Sequence, residues 1–294
     1  MAKIISFASG KGGVGKSTTV SNLGLLLARG GANVICIDLD VGGADLHVLF
    51  GELSPAVTLS DFLARKVEHL DAVARPVEWC PRLRLIAGTG ETLRNTNPTS
   101  QTKQRLERHV RKLGADLILL DVGAGTNYHA LDFFLWADVQ VVVCTPDPTA
   151  VLDLYKFVKL AATRRVLAQI RPHDPNAEAL LGEDIRSLEQ LMAAATAHGP
   201  DSERRARTAL ATFAPVLLLN NAPRGSSSVG RISTVIRRFL GVEPAVLGQI
   251  PADPAVVTSV RKFLPVVEAE PNSPAALAYV AVEKELRARL AQVP

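Results

Sequence analysis

Residues 10–18 read Gly10-Lys11-Gly12-Gly13-Val14-Gly15-Lys16-Ser17-Thr18, which contains the full GxxxxGK[ST] pattern of a phosphate-wrapping loop. Glycines are needed there because the backbone must turn closely around phosphate oxygens and aim successive N–H groups inward, through conformations that a side chain obstructs. Lys16 would contact the β and γ phosphates, and the Ser17 hydroxyl would bind Mg²⁺. A helix opening at this point adds the positive end of its dipole to the same oxygens.

Carboxylates follow at positions that suit phosphoryl transfer. Asp38 and Asp40 lie on alternate positions at the end of the apolar run that starts at Val34. One such carboxylate can hold a Mg²⁺-bound water while the other orients an attacking water, because this chemistry needs positioning and charge neutralisation rather than covalent help. Asp121 closes a second apolar run and can bind Mg²⁺ through water. After it, the glycines of Val122-Gly123-Ala124-Gly125-Thr126 would let the backbone order around a γ-phosphate and release it. Asp45 reads better as a cap in the strand-to-helix loop.

A scaffold must bring these groups to one edge. Apolar runs of strand length at 4–8, 34–38, 83–87, 117–121, 140–144, 216–220 and 246–250 alternate with helical periods at 16–29, 99–113, 128–136, 149–169 and 229–240. Most of the strands are apolar throughout, as expected when helices cover both faces of a parallel sheet. The expected fold is therefore α/β, a doubly wound, mainly parallel sheet flanked by helices, in one domain over 1–294. A last helix over 273–290 has a serine cap and a proline at its first position, and sets Tyr279, Val282, Leu286 and Leu290 on one face to pack on the sheet. Residues 163–212 break the alternation and read as a helical insertion, with helices at 182–197 and 201–213 separated by the stop His198-Gly199-Pro200.

Composition narrows the function classes. With 294 residues, 47% of them hydrophobic and 21% charged, the chain can bury a large core and is not of disordered type. No apolar run approaches membrane-spanning length, and the start of the chain leaves no room for a signal peptide, so a cytoplasmic location is expected. Cys36, Cys80 and Cys144 are scattered, which excludes a disulfide framework and a CxxC pair. The histidines (His47, His69, His109, His129, His173 and His198) have no metal-site spacing, leaving Mg²⁺ as the expected metal. A net charge of +4 is too diffuse to establish DNA or membrane binding.

The segment KGGVGKST resembles the deviant phosphate loop of the MinD/ParA superfamily of dimerising ATPases. By that resemblance Lys11 is a signature lysine that reaches the nucleotide of a partner subunit. The family also carries a DxD segment, which makes Asp40 the residue positioning the hydrolytic water and Asp38 its neighbour beside the metal; an asparagine would be expected where Asp45 stands. The run Thr145-Pro146-Asp147-Pro148-Thr149-Ala150 is similar to a segment of FlhG-like flagellar-number regulators. The same resemblance puts Asn220, Asn221, Pro251 and Asp253 near the adenine base. It covers nearly the whole chain except the insertion.

What the resemblance implies is a slow, partner-stimulated ATPase with ATP/ADP and Mg²⁺ as cofactors, an ATP-dependent homodimer, and a role in positioning or counting a cellular structure. It also implies an unidentified protein partner and a docking surface, either a membrane or non-specific DNA. The chain stops at Pro294, soon after the last expected helix, which weakens a MinD-type membrane segment. The basic candidates for a ParA-like DNA surface are Arg164, Arg165, Arg204, Arg205, Arg207, Arg237, Arg238, Arg261 and Lys262. Metabolic ATP-dependent enzymes on this scaffold are the competing class. A reductase is disfavoured because the cysteines offer no iron–sulfur cluster between subunits, and a tyrosine kinase because Tyr128, Tyr155 and Tyr279 do not cluster. Phe133, Phe134 and Trp136 are expected to be mostly core. The charged insertion is the candidate for partner specificity.

Overall fold

The computed structural model describes residues 2–40, 43–88, 99–170, 188–197, 199–223, 228–240 and 244–293. The strands are β1 (Lys3–Ala8), β2 (Val34–Leu39), β3 (Arg75–Val77), β4 (Cys80–Ile86), β5 (Leu117–Val122), β6 (Val139–Cys144), β7 (Val216–Ala222) and β8 (Ala245–Pro251). They form one sheet in the order β3-β4-β2-β5-β1-β6-β7-β8. Every neighbouring pair is parallel except β3 with β4. Each residue of β2, β5 and β6 is buried, as apolar strands covered on both faces should be.

The helices are α1 (Lys16–Arg29), α2 (Leu59–Leu63), α3 (Ser100–Val110), α4 (Tyr128–Leu135), α5 (Pro148–Ile170), α6 (Leu188–Ala197), α7 (Pro200–Ala211), α8 (Ser228–Leu240), α9 (Pro254–Arg261), α10 (Val266–Ala269) and α11 (Pro274–Leu290). The fold is the expected doubly wound α/β sheet. Strand β3 was not foreseen, because a short edge strand reading Arg-Pro-Val carries no apolar run and can hold a proline at the sheet margin. The short helices α2, α9 and α10 also escaped the periodicity, which needs more turns than they have.

Helix α1 lies so close to the sheet that a Cβ at Gly24 would stand 2.6 Å from Cys36 Sγ. All three thiols are buried and free, on β2, β4 and β6. Phe133 and Phe134 are buried, with Phe134 edge-on to Phe157 of α5 at 5.1 Å between centroids.

Around 163–212 the geometry has a simple origin. Helix α5 runs unbroken past residue 163, and α6 and α7 pack on its second half around Val166, Leu167, Leu191, Ala195, Ala206 and Ala209. Gly199, at φ 103°, provides the left-handed turn and Pro200 opens α7. The 171–176 run, positions 182–187, His173 and His198 lie outside the described residues, and of Arg238 only the backbone is described.

The return from β8 rests on Asp253. Its Oδ1 accepts the Ala255 N–H at 3.0 Å, capping α9, and its Oδ2 accepts the Ala275 N–H of α11 at 2.9 Å. One carboxylate thus ties two helix N-termini together, a structural role beside the expected place of Asp253 near the adenine base. Each lost cap costs about 0.5–2 kcal/mol. Urea unfolding should therefore rank wild type above Asp253→Asn, which keeps one acceptor oxygen, and Asp253→Asn above Asp253→Ala, with the full loss about 1–3 kcal/mol.

Candidate nucleotide site

Strand β1 pairs with β5 on one side and β6 on the other, so the chain leaves its C-terminal end where the sheet's winding reverses, the place where open parallel sheets form a ligand crevice. The glycine loop fills this turn. Gly13 (φ 77°) and Gly15 (φ 86°) hold left-handed conformations that other residues adopt at a cost, and Gly15 is the N-cap of α1. A Cβ on Gly10 would lie 2.1 Å from the carbonyl carbon of Asp153, so the loop is seated directly on α5. On its other side the loop is open, since a Cβ on Gly12 or Gly13 would meet nothing within 4 Å.

Lys16 is the electrostatic centre. Its Nζ donates to Asp121 Oδ1 at 2.9 Å and stands 4.0 Å from Asp40 Oδ2. Burial alone would lower its pKa, but Asp121, with Asp40 and Asp38 beyond, raises it, so Lys16 is firmly cationic. Asp121, at 0% exposure, is pushed up by burial against the pull of Lys16 and of the adjacent Ser17 hydroxyl. Its Oδ2 makes no hydrogen bond within strict geometry among the described residues.

Asp38 faces Asp121 across the β2–β5 register. Its Oδ1 accepts the Asp40 N–H at 3.0 Å and its Oδ2 the Leu46 N–H at 3.1 Å. Burial, then Asp121, raises its pKa well above the usual range. With both oxygens engaged by its own loop, Asp38 is placed to hold Asp40 in position; these contacts do not favour its expected place among the metal's ligands. Asp40 is the more open of the two, its side chain 29% exposed beside Gly123.

Three carboxylates around one ammonium, with one buried carboxylate oxygen unpartnered, form a hard oxygen donor set that fits Mg²⁺. Positive-φ glycines opening on a helix N-terminus fit phosphate. The residues present therefore suit a Mg²⁺-nucleotide: Gly10, Gly12, Gly13, Val14, Gly15, Lys16 and Thr18 on the phosphate side, with Ser17 and Asp121 on the metal side.

Other expected residues separate. Lys11 is exposed and donates to Thr149 Oγ1 at 3.3 Å, at the start of α5. The Gly125 N–H donates to the Ser9 carbonyl at 3.1 Å, and the Ser9 hydroxyl to the Lys11 carbonyl at 2.9 Å, so the loop and the glycine segment after Asp121 are tied together at Ser9. Sequence reasoning missed these contacts of Ser9 and Thr149 because nothing in the residue types distinguishes such a tie from an ordinary loop. Asn220 donates from Nδ2 to the Val14 carbonyl at 2.8 Å, and a Cβ on Gly15 would strike that amide at 2.1 Å. Its expected role at the adenine gives way, in this geometry, to bracing the phosphate loop. Asn221 (φ 52°) is exposed and Pro251 closes β8, both at the same sheet edge as the loop.

This distinction has a measurable consequence. If Asn220 braces the loop, Asn220→Ala should weaken ATP and GTP binding by the same factor, about tenfold for one lost hydrogen bond. Titration of fluorescent ATP and GTP analogues checks it, and a loss confined to ATP would return Asn220 to the base.

The comparisons with known proteins converge on one family. Residues 5–266 match the CobQ/CobB/MinD/ParA nucleotide binding domain. The septum site-determining protein MinD of Synechocystis sp. is 33% identical over 161 residues, 54% of this chain and 59% of that one, so the chain spans less than two thirds of that relative. The antiactivator FleN of Pseudomonas aeruginosa is 26% identical over 97% of this chain and 86% of its own. Among solved structures, the septum site-determining protein MinD complexed with Mg-ADP from Pyrococcus horikoshii superposes with a TM-score of 0.67 at 21% identity, covering 97% of this chain and 96% of that one. The glycine loop, the two lysines and the strand-end carboxylates stand on that shared fold, and the chain belongs to the CobQ/CobB/MinD/ParA nucleotide-binding family.

Proposed function

We propose that the protein is an ATP-operated dimerisation switch, an ATPase whose hydrolysis resets an assembly that positions or counts a cellular structure. The observation that carries this reading is the contrast between the two loop lysines. Lys16 is buried among Asp121, Asp40 and Asp38, where it serves its own chain, whereas Lys11 is exposed at the rim on one long hydrogen bond. A lysine so placed is available to phosphate oxygens presented by a second copy of the chain.

Lys16 and the loop N–H groups bind and neutralise the phosphates. Ser17 and Asp121 would hold Mg²⁺, which when bound would supply further charge neutralisation at the transferring phosphoryl group. Asp40, open to solvent and fixed through its backbone by Asp38, orients the attacking water. The Ser9–Gly125 bond couples movement of the loop to the segment after Asp121, a route by which the nucleotide state changes the surface shown to a partner. Helices α6 and α7, lying outside the sheet's alternation, are the place for partner specificity. A DNA or anionic membrane surface is weakly supported, because Arg207 and Lys262 pair with Glu203 and Glu270 of their own chain.

Steady-state hydrolysis measured across protein concentration tests the proposal. Specific activity should rise with concentration in the wild type, as expected of a site completed by a second copy. Lys16→Ala should lose nucleotide binding. Asp40→Ala should bind ATP within about threefold of wild type and lose hydrolysis by about 100-fold or more. Lys11→Ala should bind ATP and lose the concentration dependence. Concentration-independent hydrolysis unaffected by Lys11→Ala would overturn the reading.

A further inference from the structure

A second concave site lies away from the glycine loop. Between the far end of α5, the end of α4 and the face of α7 is a cavity of about 470 Å³ lined by Arg165, Arg204, Arg205, Thr208, Thr212 and Leu135, among others, with no carboxylate among its lining residues that are described. Arg165 follows Asp153, the residue that supports Gly10, by twelve positions on α5, which is about 18 Å along the helix axis.

The arginines here are unlike their neighbours. Arg164 is held by Asp132 at 2.7 Å and 3.2 Å, and Arg207 by Glu203 at 2.7 Å. Arg165 donates only to Thr212 Oγ1, at 2.9 Å, and that hydroxyl in turn donates to the Thr208 carbonyl at 2.9 Å. The guanidinium is thereby anchored by one N–H while its remaining donors have no partner among the described residues. Its half-buried charge has no carboxylate among the described residues to offset the desolvation that lowers its pKa. Arg205 makes no hydrogen bond or ion pair among the described residues, and Arg204 reaches only Asp201 in a fully solvated pair, worth little.

We infer that this cleft binds the phosphate group of a phosphorylated small molecule of nucleotide size. Arg165 and Arg205 line the cleft with guanidinium donors that have no carboxylate partner among the described residues, a chemistry that matches a tetrahedral oxyanion, and a half-buried arginine without such a partner is costly unless an anion completes it. The volume lies in the range of small-molecule sites, and Leu135, Ala168 and Ala209 supply the apolar wall against which a flat ring can lie. The ligand would bear on the end of α5 and on α7 and leave the glycine loop free, so the inference does not depend on the switch proposed above.

Calorimetric titration with guanosine 5′-monophosphate, at 0.15 M NaCl and with the glycine loop saturated by Mg²⁺-AMPPNP, tests it. One saturable site per chain is expected, with a Kd below about 1 mM and weakening as salt rises. Arg165→Ala and Arg205→Ala should each weaken binding about tenfold or more, and Arg165→Lys should weaken it too, because an ammonium lacks the fork. Unchanged melting temperatures and unchanged AMPPNP affinity in these variants would show that they are folded. The inference is overturned by absence of saturable binding, by binding indifferent to both alanine variants, by inorganic phosphate binding as tightly as the nucleotide, or by preference for a polyglutamate peptide. Should AMPPNP itself fail to bind, the same titration on the free chain still reads the cleft, so the two readings fail separately.

Discussion

The buried ion pair between Lys16 and Asp121 is the contact around which the site is arranged. It joins the glycine loop to the end of β5, and an ammonium at that depth is sustained only because carboxylates surround it. The pairing of β2 with β5 brings Asp38 level with Asp121, so two acids are buried side by side and burial raises the pKa of both. Such an arrangement is costly as mere structure. It is reasonable in a crevice built to take a divalent cation and phosphate.

The remaining parts keep this cluster in place. Asn220 braces the loop from β7, the α5 backbone supports Gly10, and Asp38 spends both oxygens on the loop that carries Asp40. Ser9 then links the loop to Gly125, so the rigid centre has one adjustable edge. A buried, charge-paired Lys16 beside an exposed Lys11 suits the proposed nucleotide-gated assembly: a fixed site for binding and a surface open to a second chain.

Much of this was legible in the sequence because it depends on local pattern. Seven parallel strands announce themselves as apolar runs, and the glycine loop, with its context of strand before and helix after, identifies the phosphate end. What the sequence leaves unseparated depends on distance. Asn220, near the end of β7, and Asp253, just after β8, stand at the ligand edge, where a cap, a brace and a base contact use the same residue types; the hydrogen bonds to Val14, Ala255 and Ala275 show the cap and the brace. Asp38 and Asp40 are likewise equivalent in sequence, and the backbone amides of Asp40 and Leu46 set their roles apart. The arginine-lined cleft was visible only as scattered basic residues, because α5 and α7 meet through packing around Val166 and Ala206 that no short-range signal records.

The central claim is that nucleotide controls whether two chains come together. The most direct measurement is the solution mass of Asp40→Ala protein by light scattering, first with Mg²⁺-ADP and then with Mg²⁺-ATP. The account predicts the 31.4 kDa monomer with ADP, a doubling with ATP, and reversion to monomer when Lys11→Ala is added. A mass indifferent to nucleotide would contradict it and bring forward an ATP-dependent metabolic enzyme on the same fold.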